Sequence, residues 1–282
     1  MKFDIDGFRA WKHKNVTLLG MSGVGKTYLS SLLCGHDWFH YSGDYRIGTR
    51  YLDEAILDLI KGQAMQVPFL KDLLRRDWIY IRNNIKVDDL GPVLSFVGKL
   101  GDPERGGVPL DAFVQRQAEY REAEIAAMRD VPAFIRKAQK IYGYPHFVND
   151  VGGSLCELDE PSVIDLLVEH TLILYIQVTD KAEEQKLIER AQSDPKPLYY
   201  RPGFLTEQLA IYLAEQGLEY AAEMDPDEFT RWVFPRLFHS RIPRYEAIAG
   251  PHGYTVTSQE VAQVRDEADF LDLLETVIAR TD

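Results

Sequence analysis

Residues 20–27 read Gly20-Met21-Ser22-Gly23-Val24-Gly25-Lys26-Thr27, which fits the pattern G-x-x-x-x-G-K-[ST] of phosphate-binding loops. In such a loop, glycines let successive backbone N–H groups turn inward around phosphate oxygens. We expect the ammonium of Lys26 to contact the β and γ phosphates and the hydroxyl of Thr27 to bind Mg²⁺. The residues predicted to bind the nucleotide here are Gly20, Ser22, Gly23, Val24, Gly25, Lys26, Thr27 and Tyr28.

The sequence on both sides of the loop supports this interpretation. Val16-Thr17-Leu18-Leu19 is a short apolar run typical of a buried strand, and residues 28–34 carry leucines at helical spacing. Strand, glycine loop and helix follow one another in the order that a phosphate-binding loop requires. The loop then lies at a helix N-terminus, where unpaired N–H groups and the helix dipole favour an anion.

The composition and net charge of the chain exclude some classes of protein. The chain has 282 residues, 45% of them hydrophobic, and a net charge of −12. This charge argues against a general nucleic-acid binder, because binding to the phosphate backbone depends on clustered Lys and Arg. The sequence shows no secretory signal pattern and no apolar run near the roughly 18 residues of a membrane span. We therefore expect a cytoplasmic protein with a small-molecule substrate and neither a nucleic-acid nor a membrane partner.

The two cysteines, Cys34 and Cys156, do not have the spacing of a metal site or a disulfide framework. Both stand in apolar surroundings. We predict that they are small core residues.

Acidic residues follow two further predicted strands. Ser42-Gly43-Asp44-Tyr45-Arg46 comes after the aromatic run Trp38-Phe39-His40-Tyr41, and Asp150 ends the run that begins at Pro145. The carboxyl ends of parallel strands face the ligand crevice, so Asp44 and Arg46 are predicted to point at the site. Asp150 is predicted to coordinate Mg²⁺ or to act as a base. An ordinary turn remains an alternative for 42–46, and a capping carboxylate for Asp150.

Long helical segments interrupt this pattern of strands. Residues of about 52–141 and 196–240 are predicted to be insertions in one domain that spans residues 1–282, and to form a lid and a substrate cover. The charged run from Gln115 to Arg129 is interpreted as a solvated helix face with i,i+4 pairs. Further predicted elements are helices at 205–215, 225–238 and 258–280, and strands at 172–178 and 254–257.

Positive charge collects in the second insertion and beyond it. We expect these cations to close over phosphates, namely Arg190, Lys196, Arg201, Arg236, Arg241 and Arg244.

The motifs together resemble the shikimate-kinase-like small-molecule kinases, a branch of the nucleotide-kinase group of phosphate-loop proteins. Residues 18–27 are similar to the opening of that family, and Arg190 with Lys196-Pro197-Leu198 is similar to its lid. Residues 241–249 with 254–256 are similar to its Arg-x-Pro-x-Tyr segment and last strand. Asp44 stands where the family has a substrate-contacting Asp, and Gly152-Gly153 stands near its glycine triplet. The resemblance implies an α/β fold, with a central parallel sheet flanked by helices, that binds ATP and Mg²⁺.

The chain also departs from the family pattern. Ser42 replaces a first Asp, which strengthens the claim of Asp150 to the Mg²⁺ contact. Lys196 replaces the lid Arg, which keeps the charge but loses the planar fork of a guanidinium. Because of the large insertions, the resemblance does not identify the substrate.

These observations favour an ATP-dependent, Mg²⁺-dependent phosphotransferase that acts on a small hydroxylated or acidic metabolite. Lys26, Asp44, Asp150 and Arg190 are its candidate catalytic residues, and Lys196 and Arg201 are further lid cations that bind the nucleotide. Asp44, Arg46, Gly152, Gly153 and Arg241 are the candidate substrate contacts, since guanidinium suits an anionic acceptor.

A different class of function stays open. The chain would then be an ATPase or a nucleotide-dependent regulatory module whose helical insertions bind a protein partner. The lack of an Asn/Thr-Lys-x-Asp motif favours ATP over GTP in either case.

Overall fold

A computed structural model describes residues 1–281 of the chain. Within them, five parallel strands form one sheet in the order β2-β3-β1-β4-β5. The strands are β1 (Asn15–Leu19), β2 (Trp38–Ser42), β3 (His146–Asp150), β4 (Leu172–Gln177) and β5 (Gly253–Thr257). The α/β phosphate-loop fold predicted from the sequence is confirmed.

Helices surround this sheet and fill the long connections between its strands. They are α1 (Ile5–Ala10), α2 (Lys26–Cys34), α3 (Gly43–Arg46), α4 (Asp53–Ala64), α5 (Pro68–Arg75), α6 (Gly91–Val97), α7 (Leu110–Arg129), α8 (Val131–Lys140), α9 (Pro161–His170), α10 (Lys181–Ser193), α11 (Pro202–Gln216), α12 (Pro226–His252), α13 (Ser258–Val261) and α14 (Glu267–Ala279). A π-helical segment spans Ile47–Tyr51, and short 3-10 turns span Pro103–Arg105, Leu155–Glu157 and Ala221–Glu223. Among residues 1–281, no helix combines the length and the apolar character needed to cross a membrane.

The strands are buried because their side chains are apolar on both faces. Every residue of β1 is buried, as is usual for a central strand of a parallel sheet that helices cover on both sides. Aromatic rings complete the core at the β2 edge, where Phe39 and Tyr41 both stack on Phe147 with ring centroids 5.9 Å apart.

The register of the sheet sets the position of the site. Leu18 of β1 and Ser42 of β2 both pair with Asp150 of β3. The carboxyl ends of these three strands therefore lie side by side. The loop after β1, the turn after β2 and the last residue of β3 meet at one edge of the sheet, where parallel α/β sheets bind ligands.

The two insertions pack against each other. A second apolar cluster joins Leu100 and Phe113 from the first insertion to Phe204 and Phe229 from the second. The prediction of a single domain over 1–282 stays a prediction, and its last residue lies outside the described residues.

Two predicted helix boundaries were wrong. The helix expected to end at residue 238 continues to His252 as α12, through Pro235, Pro243 and Pro251. The helix expected over 258–280 is divided into α13 and α14, because the side chain of Asp266 caps the second one through the N–H of Asp269.

One proline of α12 links that helix to α10. Pro235 has no N–H to donate to the carbonyl of Arg231, four residues earlier. That carbonyl accepts a hydrogen bond of 3.4 Å from Gln192 Nε2 of α10 instead. In return, Arg231 Nε donates to the Gln192 carbonyl at 2.9 Å. The two helices are thus joined by a reciprocal pair of hydrogen bonds.

The prediction for the cysteines is half right. Cys156 is buried, and burial raises its pKa to about 12. Cys34 is exposed at the end of α2, so it is not a core residue.

Candidate active site

The phosphate-binding loop connects β1 to α2 in the conformation that its sequence requires. Gly20, Gly23 and Gly25 have φ angles of 147°, 91° and 104°. Gly25 precedes the first residue of α2, and its left-handed conformation is one that other residues rarely adopt. Within the described chain, no side chain caps α2, so its first N–H groups are left to bind an anion.

Lys26 lies inside the loop. Its Nζ donates to the carbonyl oxygens of Gly20 and Met21 at 2.7 and 2.8 Å. Burial lowers the pKa of Lys26, while the charges of Asp150 and Asp44 act in the opposite direction. The ammonium has a third hydrogen to donate, and a phosphate oxygen is a suitable acceptor.

Thr27 and Asp150 bring oxygen atoms together beside the loop. Thr27 Oγ1 donates to Asp150 Oδ2 at 3.0 Å, and His40 Nε2 lies 3.8 Å from the same carboxylate oxygen. A hydroxyl and a carboxylate next to a phosphate site fit the ligand preference of Mg²⁺. Among residues 1–281, no group of three or more His, Cys, Asp or Glu side chains is close enough to form a metal site by itself.

Asp44 is the second residue of α3 and lines the same cleft. Its Oδ1 accepts a hydrogen bond of 3.4 Å from the hydroxyl of Tyr120. Burial and the charge of Asp150 together raise the pKa of Asp44 to about 6, against the opposing charge of Lys26. A carboxylate with this pKa is ionised at neutral pH and has the strength of an effective general base.

One cleft of about 360 Å³ connects these groups. Most residues that the sequence analysis selected line it, namely Ser22, Gly23, Gly25, Lys26, Thr27, Tyr28, Asp44, Asp150, Gly152, Gly153 and Arg190. His40 also lines it and was not foreseen, although its position in β2, two residues before the strand ends, is a usable signal. Val87 and Leu90 of the first insertion complete the wall, so the insertion does cover part of the cleft.

The lid cations divide into two groups. The Nη1 atom of Arg190 lies 3.8 Å from where a Cβ on Gly23 would stand, which places its guanidinium beside the loop. Lys196 lines an adjoining pocket of about 110 Å³ that shares Arg190, and its Nζ is 3.6 Å from Asp194. These two cations lie at the phosphate end.

The other predicted lid cations contact protein groups elsewhere. Arg236 Nη2 is 3.8 Å from Glu215, and Arg244 Nε donates to the Cys156 carbonyl at 2.8 Å. Arg201 Nε is 3.8 Å from Glu157 rather than in the phosphate cleft. Arg201, Arg236 and Arg244 therefore lie outside the phosphate cleft in this structure, and the expectation that they close over phosphates stays a prediction.

Arg46 does not line the cleft. Its Nε donates to Asp130 Oδ2 at 2.8 Å, and its guanidinium lies over the ring of Phe134 at 5.0 Å. Two residues along a helix correspond to about 200° of rotation, so Asp44 and Arg46 leave α3 on opposite sides. Arg46 therefore does not face the cleft in this structure, and its predicted contact with an acceptor stays a prediction.

Arg241 lies in a polar cluster behind the two glycines that follow β3. Its Nε donates to Glu157 Oε2 at 2.8 Å, and its Nη2 donates to the Tyr199 carbonyl at 2.8 Å. Burial alone would lower the pKa of Arg241, but the charge of Glu157 raises it above its ordinary value.

The cluster also contains Glu124, which sequence reasoning missed. Its side chain is fully buried, with 0% exposure, and Ser154 Oγ donates to its Oε2 at 2.6 Å. Burial raises the pKa of Glu124 to about 8, so the group is protonated at neutral pH. The expected solvated face of 115–129 is therefore wrong at this position. The flanking Ala123 and Ala127, which are also buried, were the available signal.

Comparisons with known proteins give little beyond this geometry. No family model matches the chain, and no curated protein matches it. Among solved structures, the chain is similar to a shikimate kinase from Bacteroides thetaiotaomicron, with 15% identity and a TM-score of 0.38 over 95% of this chain and 96% of that one.

Proposed function

We propose that the protein is an ATP-dependent phosphotransferase that uses Mg²⁺ and phosphorylates a hydroxyl group of a small metabolite. One observation carries the proposal. The phosphate loop with Lys26, the Thr27–Asp150 pair and the carboxylate of Asp44 line the same cleft. A nucleotide-binding end and a basic carboxylate on one cavity are the parts that phosphoryl transfer to a hydroxyl requires.

Each group has a distinct task. The N–H groups at the start of α2 and Lys26 bind the triphosphate. Thr27 and Asp150 would hold Mg²⁺, which supplies positive charge against the phosphate oxygens. Asp44 orients the acceptor hydroxyl and takes its proton, and Arg190 stabilises charge on the transferred group.

ADP release from Mg-ATP tests the proposal. The purified protein is assayed alone and with pools of polyols, hydroxy acids, amino sugars and nucleosides. We expect one pool to stimulate ADP formation, and mass spectrometry to find a phosphoryl group on one component. ADP formation that no pool stimulates would contradict the kinase function.

A lysine variant tests the nucleotide site separately. Lys26→Ala removes the ammonium inside the loop, so calorimetric binding of Mg-ATP should be lost. Lys12→Ala, at an exposed position, is the matched control and should bind as the wild type does. Unchanged binding in the Lys26 variant would refute the site assignment.

A second function is favoured by one surface feature. Among the described residues, α5 has none that is buried, and Phe69, Trp78 and Tyr80 are 71%, 66% and 81% exposed in and just after it. Residues 61–86 carry six Lys or Arg and two Asp, in a chain of net charge −12. This surface suits an acidic protein partner, so we keep an ATP-dependent regulatory module as the second candidate.

The same ADP assay separates the two candidates. Slow hydrolysis that no acceptor pool stimulates would favour the regulatory module. A double variant, Phe69→Ser with Trp78→Ser, should leave acceptor-dependent ADP formation unchanged if the protein is a kinase.

A further inference from the structure

The charge at the acceptor end of the cleft is already balanced. Arg241 and Glu157 are 4% and 1% exposed, and both Nε and Nη2 of the arginine contact Oε2 of the glutamate, at 2.8 and 2.7 Å. Arg201 faces the other oxygen of Glu157 at 3.8 Å. The charge of Asp44 is opposed by that of Lys26. An anionic acceptor would therefore have to share Arg241 with a buried carboxylate, which is costly in a site removed from water.

Arg121 is another arginine that could change this charge balance, but its guanidinium is held by other contacts. Arg121 Nε donates to the carbonyl of Leu158 at 2.8 Å, and its Nη1 contacts Glu122 at 2.6 Å. The charge balance thus depends on two sets of groups, with Glu124 neutral: Asp44 with Lys26, and Glu157 with Arg201 and Arg241.

Several buried polar atoms of this cluster have no hydrogen-bond partner among residues 1–281. They are Glu124 Oε1, Glu157 Oε1, Tyr199 OH and Arg201 Nε. Glu157 Oε1 and Arg201 Nε face each other at 3.8 Å. Because buried polar groups rarely stay unpaired, Glu124 Oε1 and Tyr199 OH are the candidate contacts for a polar ligand. Protonated Glu124 and Tyr199 each carry an O–H group that can both donate and accept. A hydroxyl group also donates and accepts, whereas a carboxylate only accepts and an ammonium only donates.

Two glycines open the cluster to the cleft. A Cβ on Gly152 would stand 3.0 Å from Asp44 Oδ1 and 3.1 Å from Glu124 Oε1, and a Cβ on Gly153 would stand 3.5 Å from Arg241 Nη1. Both glycines line the cleft. The missing side chains therefore leave these polar atoms next to the space that an acceptor would occupy.

From this balance and this set of unpaired atoms, we infer that the acceptor is an uncharged polyol rather than a hydroxy acid or an amine. Its hydroxyl groups contact Asp44, Glu124 and the Arg241–Glu157 pair. The inference rests on the proposed phosphotransferase function and replaces the expectation that Arg241 grips an anionic acceptor.

Binding measured without turnover tests the inference. Wild-type protein with Mg²⁺ and a non-hydrolysable ATP analogue is mixed with three pools matched in carbon number: neutral polyols, hydroxy acids and amino polyols. Saturation-transfer NMR identifies the components that bind. Gly152→Val forces a side chain against Asp44 and Glu124, while Gly62→Ala, whose Cβ would meet no atom within 4 Å, is the control.

We expect a component of the neutral pool to bind at least tenfold more tightly than any component of the other two, and to lose binding in Gly152→Val but not in Gly62→Ala. Tighter binding of a hydroxy acid or an amine at this site overturns the inference, as does the absence of binding from all three pools. Glu157→Gln should shift preference about tenfold toward hydroxy acids, with Glu160→Gln as its control. The comparison of the three pools with wild-type protein tests the inference even if the Glu157 variant does not fold.

The result also separates this inference from the proposed function. A polyol that binds but never receives a phosphoryl group refutes the kinase and leaves the polyol site standing. A phosphorylated hydroxy acid supports the kinase and refutes the polyol site.

Discussion

Replacing Glu124 by Gln should make the free energy of unfolding of the protein less dependent on pH. Burial raises the pKa of this carboxyl from 4.5 to about 8. Between these two values the folded protein keeps a proton that the unfolded chain has released. The folded state then binds more protons than the unfolded state, so the free energy of unfolding falls as the pH rises through this interval.

The size of this change in the free energy of unfolding follows from the shift in the pKa of Glu124. Each pKa unit corresponds to about 1.4 kcal/mol, so ionisable Glu124 lowers the free energy of unfolding at pH 8 by at most about 5 kcal/mol relative to its value below pH 4.5. Gln has nearly the same shape and cannot ionise, and its amide oxygen can accept the hydrogen bond from Ser154. We therefore expect the stability difference, variant minus wild type, to grow by about 1 kcal/mol per pH unit between pH 5 and 8.

Urea unfolding at pH 5, 6, 7 and 8 measures this difference directly. The matched control is Glu122→Gln, since Glu122 lies two residues earlier on α7 with its side chain 69% exposed. An exposed pair contributes little, so the control should follow the wild type at every pH. If the difference in the free energy of unfolding between Glu124→Gln and wild type does not change between pH 5 and 8, the assignment of a buried, protonated Glu124 is refuted.

Three further predictions concern the cleft. Asp150→Asn should raise the Mg²⁺ concentration for half-maximal ADP formation about tenfold, because an amide binds Mg²⁺ more weakly than a carboxylate; an unchanged Mg²⁺ titration would contradict a metal role. Asp44 must be ionised to act as a base, so kcat/KM measured from pH 5 to 8 should fall below the pKa of about 6 of this group; a profile that rises toward pH 5 would exclude it. Arg190→Ala should lower kcat by about 10²-fold with a smaller change in the KM for ATP, and Arg190→Lys should recover part of it; steady-state kinetics that show only a KM effect would place Arg190 in nucleotide binding alone.

The phosphate end of the site could be predicted because it depends on local sequence. The glycine positions of the loop fix the backbone, and the register of a parallel sheet brings Asp44 and Asp150 to the edge where β1 ends. Each of these positions follows from a strand and the turn after it. A single sequence holds that information.

The acceptor end could not be predicted because it depends on contacts between distant segments. Glu124 is buried only because α7 packs beside Ser154 and Gly152, which follow β3. Arg46 contacts Asp130, which lies 84 positions away along the chain, and Glu157 contacts Arg241 across the same separation of 84 positions. Charge and helical spacing do not reveal which long side chains will meet.

The paired hydrogen bonds between Gln192 and Arg231 have a consequence for how the two substrates affect each other. Arg190 lies on α10 at the nucleotide, and Arg241 lies on α12 at the acceptor, so the bonded helices connect the two subsites. A shift of α10 toward a bound triphosphate would move α12 with it and change the affinity for the acceptor. By thermodynamic reciprocity, the acceptor must then change the affinity for the nucleotide by the same factor. In the proposed phosphotransferase, such synergy would give tight binding of ATP only when an acceptor is present to receive its phosphoryl group.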